Sequence, residues 1–125
     1  MPSDLPRPTD AELEILTALW SRGASTVREI HEIVLKRKPT QYTTVLKHLQ
    51  IMSEKGLVRR DEEQRAHVYE AAAPRDVTRK QLAGDLLQRA FDGSAARLLQ
   101  GALSARKASK AELAEIRKLL DDYDR

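Results

Sequence analysis

Cysteine is absent from the 125 residues, which excludes disulfides and thiolate metal sites. Aromatic residues make up only 4%, while 41% hydrophobic and 33% charged residues are ordinary for a soluble protein. No apolar run approaches the roughly 18 residues that span a membrane. The opening MPSDLPRPTD has no apolar stretch of the kind that marks a secretory signal, so a cytoplasmic protein is expected. Enzyme signatures are missing too. There is no glycine-rich phosphate loop, and no carboxylate pair is set among apolar residues. His31-Glu32-Ile33-Val34-Leu35 begins like the zinc motif H-E-x-x-H but has Leu35 where the second histidine belongs. His31, His48 and His67 are scattered without metal spacing. No catalytic residue, metal ligand or cofactor is expected.

What is present is unevenly distributed charge. The net charge is only +3, yet residues 36–60 hold Lys36, Arg37, Lys38, Lys47, Lys55, Arg59 and Arg60 against Glu54 alone. A local excess of that kind is a footprint for a polyanion. The length allows one medium domain or a small domain with an appendage, and a chain of this size buries only about two-thirds of its unfolded surface.

Local signals divide the chain into helices and one hairpin. Thr9 and Glu12 have capping-box spacing, followed by Leu13, Leu16, Leu19 and Trp20 on one face, with Gly23 as the stop. Thr26 and Glu29 repeat the box ahead of Val27, Ile30, Ile33 and Val34, and Pro39 ends that second helix. Thr40 is positioned to cap a third helix whose Val45, Leu49 and Met52 point inward and whose C′ residue is Gly56. Residues 57–60 and 66–69 read as strands around the polar loop 61–65. A joint is expected at Ala73-Pro74, giving domains 1–73 and 74–125. Beyond it three further helices carry apolar stripes: Leu82, Leu86, Leu87 and Phe91; Leu98, Leu99 and Leu103; and, after a third capping box at Ser109 and Glu112, Leu113, Ile116, Leu119 and Leu120.

Three helices followed by a hairpin form the winged variant of the helix-turn-helix, so the expected class is mainly α, with a two-stranded wing and a three-helix C-terminal arm. With Val45, Leu49 and Met52 inward, Thr43, Thr44, Lys47 and Gln50 face outward as candidate base readers. Short hydroxyls allow close approach to base edges, a threonine methyl can touch a thymine methyl, and lysine can reach guanine. Lys38, Thr40, Tyr42, Arg59, Arg60 and Arg65 are the candidate phosphate contacts, with Arg65 at the wing tip.

The stretches Ile15-Leu16-Thr17-Ala18-Leu19-Trp20, Ser25-Thr26-Val27-Arg28-Glu29-Ile30, Tyr42-Thr43-Thr44-Val45-Leu46, Glu54-Lys55-Gly56-Leu57-Val58, Arg65-Ala66-His67-Val68-Tyr69, Phe91-Asp92-Gly93-Ser94 and Ala111-Glu112-Leu113-Ala114-Glu115-Ile116 stand in that order along the chain. Together they resemble the penicillinase-repressor (BlaI/MecI/CopY) family of winged-helix regulators. They cover nearly the whole chain in the family's order. The resemblance implies a homodimeric repressor that binds a double-stranded inverted-repeat operator through helix three, and a membrane sensor protease system as a further partner. Direct copper sensing, which uses a cysteine-rich tail in some members, is excluded here. Other members are cleaved beside an asparagine in the dimerisation arm. This chain has no asparagine, so only its position nominates the stretch Arg89-Ala90-Phe91-Asp92. Gln64 stands where many members have glycine, which implies a differently shaped wing tip.

Three helices in about fifty residues cannot enclose their own apolar stripes, so the eleven stripe residues named above are expected to be shared between two copies. Two functions compete on these observations. One is a dimeric repressor regulating β-lactam-resistance or envelope-stress genes. The other is a protein-interaction module whose basic face is merely solvated.

Overall fold

The computed structural model describes residues 5–63 and 66–125. The chain runs α1 (Asp10–Arg22), β1 (Ser25–Thr26), α2 (Val27–Arg37), α3 (Tyr42–Lys55), β2 (Val58–Asp61), β3 (Val68–Ala71), α4 (Arg75–Ala90), α5 (Ala95–Ala105) and α6 (Lys110–Tyr123). This is the expected winged helix-turn-helix followed by three helices.

Both N-terminal capping boxes form. Thr9 Oγ1 accepts from the Glu12 N–H at 3.2 Å, while Glu12 Oε1 accepts from the Thr9 N–H at 2.9 Å. Thr26 and Glu29 repeat the exchange at 3.2 and 2.9 Å. Helix α3 starts differently from expectation. Its N-cap is Gln41, with no side-chain cap, and the Thr40 hydroxyl instead donates back to the Lys38 carbonyl at 2.8 Å. Pro39 holds Lys38 extended (φ −157°, ψ 133°), and the Thr40 hydroxyl closes that turn rather than the helix. At the other end Gly56 takes φ 86°, ψ 15°, with Leu57 N–H on Met52 C=O at 2.8 Å and Gly56 N–H on Ser53 C=O at 3.3 Å. That pair of bonds is a Schellman motif, which favours glycine at the left-handed residue.

One aliphatic core joins these elements. Ile15, Leu16 and Leu19 of α1 meet Val27, Ile30 and Val34 of α2, Val45, Leu49 and Met52 of α3, and Leu57, Val58 and Tyr69 from the wing. Leu13 and Ile33, expected in the helical stripes, are only half-buried, and Ile15 takes the inward position in α1. The sheet has three strands in the order β1-β3-β2, all antiparallel. The expected hairpin is present with strands one or two residues later, at 58–61 and 68–71. The third strand, β1, pairs Ser25 with Tyr69 and was not foreseen.

Glu12 does more than cap α1. It is 3% exposed, and its Oε1 also accepts from Lys55 Nζ at 2.7 Å, tying the start of α1 to the last turn of α3. Burial works to raise the Glu12 carboxyl, but the Lys55 and Thr9 hydrogen bonds and the Lys55 charge outweigh it and hold the carboxyl below its ordinary range. Trp20 Nε1 donates to the Ala73 carbonyl at 3.0 Å, and the Arg75 guanidinium stands 6.0 Å from the Trp20 ring centre. The Ala73-Pro74 joint is thereby fastened to α1.

The chain divides into two compact units between Leu82 and Ala83, inside α4. In the second unit, Ser94 and Ser109 cap α5 and α6 through bonds from the Arg97 and Glu112 N–H groups. The Ser109–Glu112 box is one-sided among the described hydrogen bonds. Asp92 (φ 51°) and Gly93 (φ 77°) make the left-handed turn between α4 and α5. A Cβ on Gly101 would stand 3.3 Å from Phe91 Cε1, so glycine lets α5 lie close against that ring.

Candidate nucleic-acid interface

The face of α3 opposite the core is built by the same periodicity as the core itself. Val45, Leu49 and Met52 are fully buried at i, i+4 and i+7, and Thr43, Lys47 and Gln50 repeat that spacing on the solvent side. Thr44 is exposed beside them. Tyr42 opens the helix, 45% exposed, with its ring edge-on to His31 at 5.7 Å between centres. His31 in turn places Nε2 2.7 Å from the Thr40 carbonyl, a contact that requires a proton on that nitrogen. The α2–α3 turn is therefore clamped by an α2 side chain. No side chain caps α3, and while the Thr44 N–H donates to the Gln41 carbonyl at 3.1 Å, the Tyr42 and Thr43 N–H groups have no partner among the described hydrogen bonds and remain available to an anion.

The basic block resolves into two kinds of residue. Lys36, Arg37, Lys38 and Lys47 are exposed and pair with no carboxylate among the described residues. The other three bases are engaged. Lys55 is held by Glu12; Arg59 lies 3.9 Å from its cross-strand neighbour Glu70 and donates to the Ala72 carbonyl at 2.9 Å; Arg60 pairs with Glu62 at 2.8 Å. Hydrogen bonds to Glu62 and Tyr69 push the Arg60 guanidinium further up.

The structure therefore brings Lys38, Thr40, Tyr42, Thr43, Thr44, Lys47 and Gln50 together on α3 and the turn before it. Arg59 and Arg60 line a depression on the wing with Asp61, Glu63 and Glu70. Arg65 and Gln64, and with them the expected wing-tip contact, lie outside the described residues. A second cleft, between the α2 and α3 helices and the wing, holds Arg28, Tyr42 and His67. Neither Arg28 nor His67 stands out in the sequence, because only the return of β3 across the domain sets them on one cleft.

None of the eleven residues expected at the dimer contact is buried in the single chain. Leu86, Leu103, Leu119 and Leu120 are exposed, and α5 and α6 have no buried residue at all. Among the described residues no His, Asp or Glu cluster could hold a metal, and no helix is long and apolar enough to cross a membrane.

Comparison with known proteins agrees with this geometry. The family model described as penicillinase repressor matches residues 8–122. The transcriptional regulator BlaI of Mycobacterium tuberculosis, in strains CDC 1551 and H37Rv, is 38% identical over 89 residues, 70% of this chain. The match spans 64% of those relatives' length. The solution structure of the DNA-binding domain of the repressor BlaI superposes with a TM-score of 0.52 at 23% identity, covering 59% of this chain and 90% of that one. The Bacillus licheniformis BlaI monomeric form, solved in complex with the blaP half-operator, gives 0.52 at 23% identity over 58% and 89%.

Proposed function

Because the chain belongs to the penicillinase repressor family, a family of transcriptional regulators rather than enzymes, we propose that it represses transcription as a homodimer bound to an inverted-repeat operator. The observation that carries this reading is the solvent face of α3. It sets Thr43, Lys47 and Gln50 at helical spacing directly opposite a fully buried stripe, with unpaired bases at its flank. Such a helix fits the major groove, where Lys47 reaches guanine and Gln50 can bridge adenine, while Thr43 and Thr44 approach thymine methyls. Lys36, Arg37, Lys38 and the uncapped first turn of α3 supply phosphate contacts.

The unburied apolar stripes of the C-terminal helices support two copies. Leu113, Ile116 and Leu120 recur along α6, and the first two are no more than half-buried while Leu120 is 56% exposed. A second copy covers such a stripe, and two-fold symmetry matches an inverted repeat. Release from DNA follows proteolysis in the arm by a membrane-sensor system, with the exposed turn after Arg89 and Ala90 as the site. The regulated genes are those of β-lactam resistance or envelope stress.

The test is titration of the protein against the DNA upstream of its own gene and against a scrambled duplex. Three unpaired flanking bases per half-site, Lys36, Arg37 and Lys38, make about six in the dimer and give a log–log salt slope near −5, a loss of roughly three orders of magnitude between 50 and 200 mM salt on non-specific DNA. Binding to neither duplex, or salt-insensitive binding to both, returns the chain to a protein-interaction role.

A further inference from the structure

The cleft bounded by α2, α3 and the wing carries cation-capable side chains without a function in the scheme above. Its walls include Arg28 from the first turn of α2, Tyr42 from the start of α3 and His67 just before β3, over a floor formed by Leu46 and Tyr69. No carboxylate is among its described lining residues, and Arg28 pairs with no acid among the described residues. The contrast with the other wing depression is direct. There Arg59 and Arg60 sit among Asp61, Glu63 and Glu70, and both already have acidic partners. A phosphate approaching Arg59 or Arg60 has to displace a carboxylate, whereas one approaching Arg28 does not. The cleft also adjoins the base-reading helix, since Tyr42 precedes Thr43 directly.

We propose that Arg28 and His67 clasp one backbone phosphate of the duplex in this cleft, with the Tyr42 hydroxyl as a third donor. The inference rests on the DNA-binding reading and extends it. Of the phosphate contacts expected from the sequence, it replaces Arg59 and Arg60 on the wing side with Arg28 and His67. A strand held between α3 and the wing is fixed on both sides, which sets the depth and register of α3 in the groove. Arg28 offers a planar fork of donors, and His67 donates one N–H whatever its charge.

The experiment uses the full chain and a random-sequence duplex, so it does not depend on knowing the operator. Affinity is measured from 50 to 200 mM salt for the wild type, Arg28→Gln, Arg28→Lys, His67→Ala and Arg59→Gln, with thermal unfolding as the check on folding. Arg28→Gln is expected to weaken binding about tenfold or more and to make the salt slope shallower by about 0.9 per copy, about 1.8 for the dimer, with Arg28→Lys keeping the slope and Arg59→Gln changing it little. His67→Ala is expected to weaken binding less than Arg28→Gln. Neutral methylphosphonates placed singly along the duplex give a second readout on the operator-containing upstream DNA. One position costs affinity in the wild type and nothing in Arg28→Gln. Steep wild-type binding that Arg28→Gln leaves unchanged, or the absence of any such position, overturns the clasp while leaving DNA binding in place. A wild type that binds no DNA overturns both.

Discussion

Replacing Lys55 with methionine isolates the interaction that fixes the recognition helix to the rest of the domain. Glu12 Oε1 accepts from Lys55 Nζ at 2.7 Å and from the Thr9 N–H at 2.9 Å, and Glu12 is 3% exposed. Removing the ammonium strands a buried carboxylate on its capping bonds alone. Losing one partner of a buried pair costs about 3–5 kcal/mol. The Lys55 side chain is one-third exposed, so water reaches the vacated position and the cost falls at or below the bottom of that range, about 2–3 kcal/mol at pH 7. Glu12→Gln is the control. Glutamine keeps the capping box and leaves unpaired only the Lys55 ammonium, which water reaches, so it should cost only about 1 kcal/mol. The pH dependence separates the cases further. The wild-type carboxyl is depressed in the fold, so its stabilisation is fully present above the ordinary carboxylate range and is lost as pH falls through the lowered folded value. Without Lys55, two of the causes that lower the carboxyl are gone while the Thr9 bonds remain, and the carboxyl rises relative to wild type. The deficit of Lys55→Met then shrinks on acidification. Urea unfolding at pH 7 and pH 4 reads both effects. A Lys55→Met protein within about 0.5 kcal/mol of wild type at pH 7 would refute the reasoning, because it would show the pair to be no stronger than a surface contact.

Other substitutions test other parts of the account. Lys47→Ala should relax discrimination at one operator base pair by about 1–3 kcal/mol while leaving binding to scrambled DNA nearly unchanged, as read by competition titrations. Leu120→Glu should weaken self-association by more than about a hundredfold, because a side chain 56% exposed in the single chain would bring a charge to the shared face twice over; sedimentation equilibrium measures it. Trp20→Phe keeps most of the packing but loses the bond to the Ala73 carbonyl, and should lower stability by about 1 kcal/mol in a thermal melt.

The elements most legible in the sequence were those set by local spacing. Thr9 with Glu12 and Thr26 with Glu29 cap because the partner lies one turn away, and Val45, Leu49 and Met52 bury together because the helical period places them so. What the sequence hid depends on distant pairing. Two residues of β1 become a strand only because Tyr69 returns beside Ser25, and Tyr69 is core rather than wing surface for the same reason. Glu12 reads as a cap, but its second partner is 43 residues away. Arg59 and Arg60 carry acidic neighbours that the linear order hides, since the hairpin sets Glu70 opposite Arg59 and the loop turns Glu62 onto Arg60. Thr40 has the right chemistry for an N-cap, yet its hydroxyl closes the Lys38–Thr40 turn.

The central claim is that α3 reads a specific duplex. Fluorescence anisotropy with the DNA upstream of the gene and a scrambled duplex, each at 50 and 200 mM salt, tests it most directly. Binding that persists at 200 mM salt on the upstream duplex alone, with a preference that Lys47→Ala narrows by about 1–3 kcal/mol, is the expected result. Equal binding to both duplexes that disappears together at 200 mM salt would contradict it, leaving the basic surface without a sequence to read.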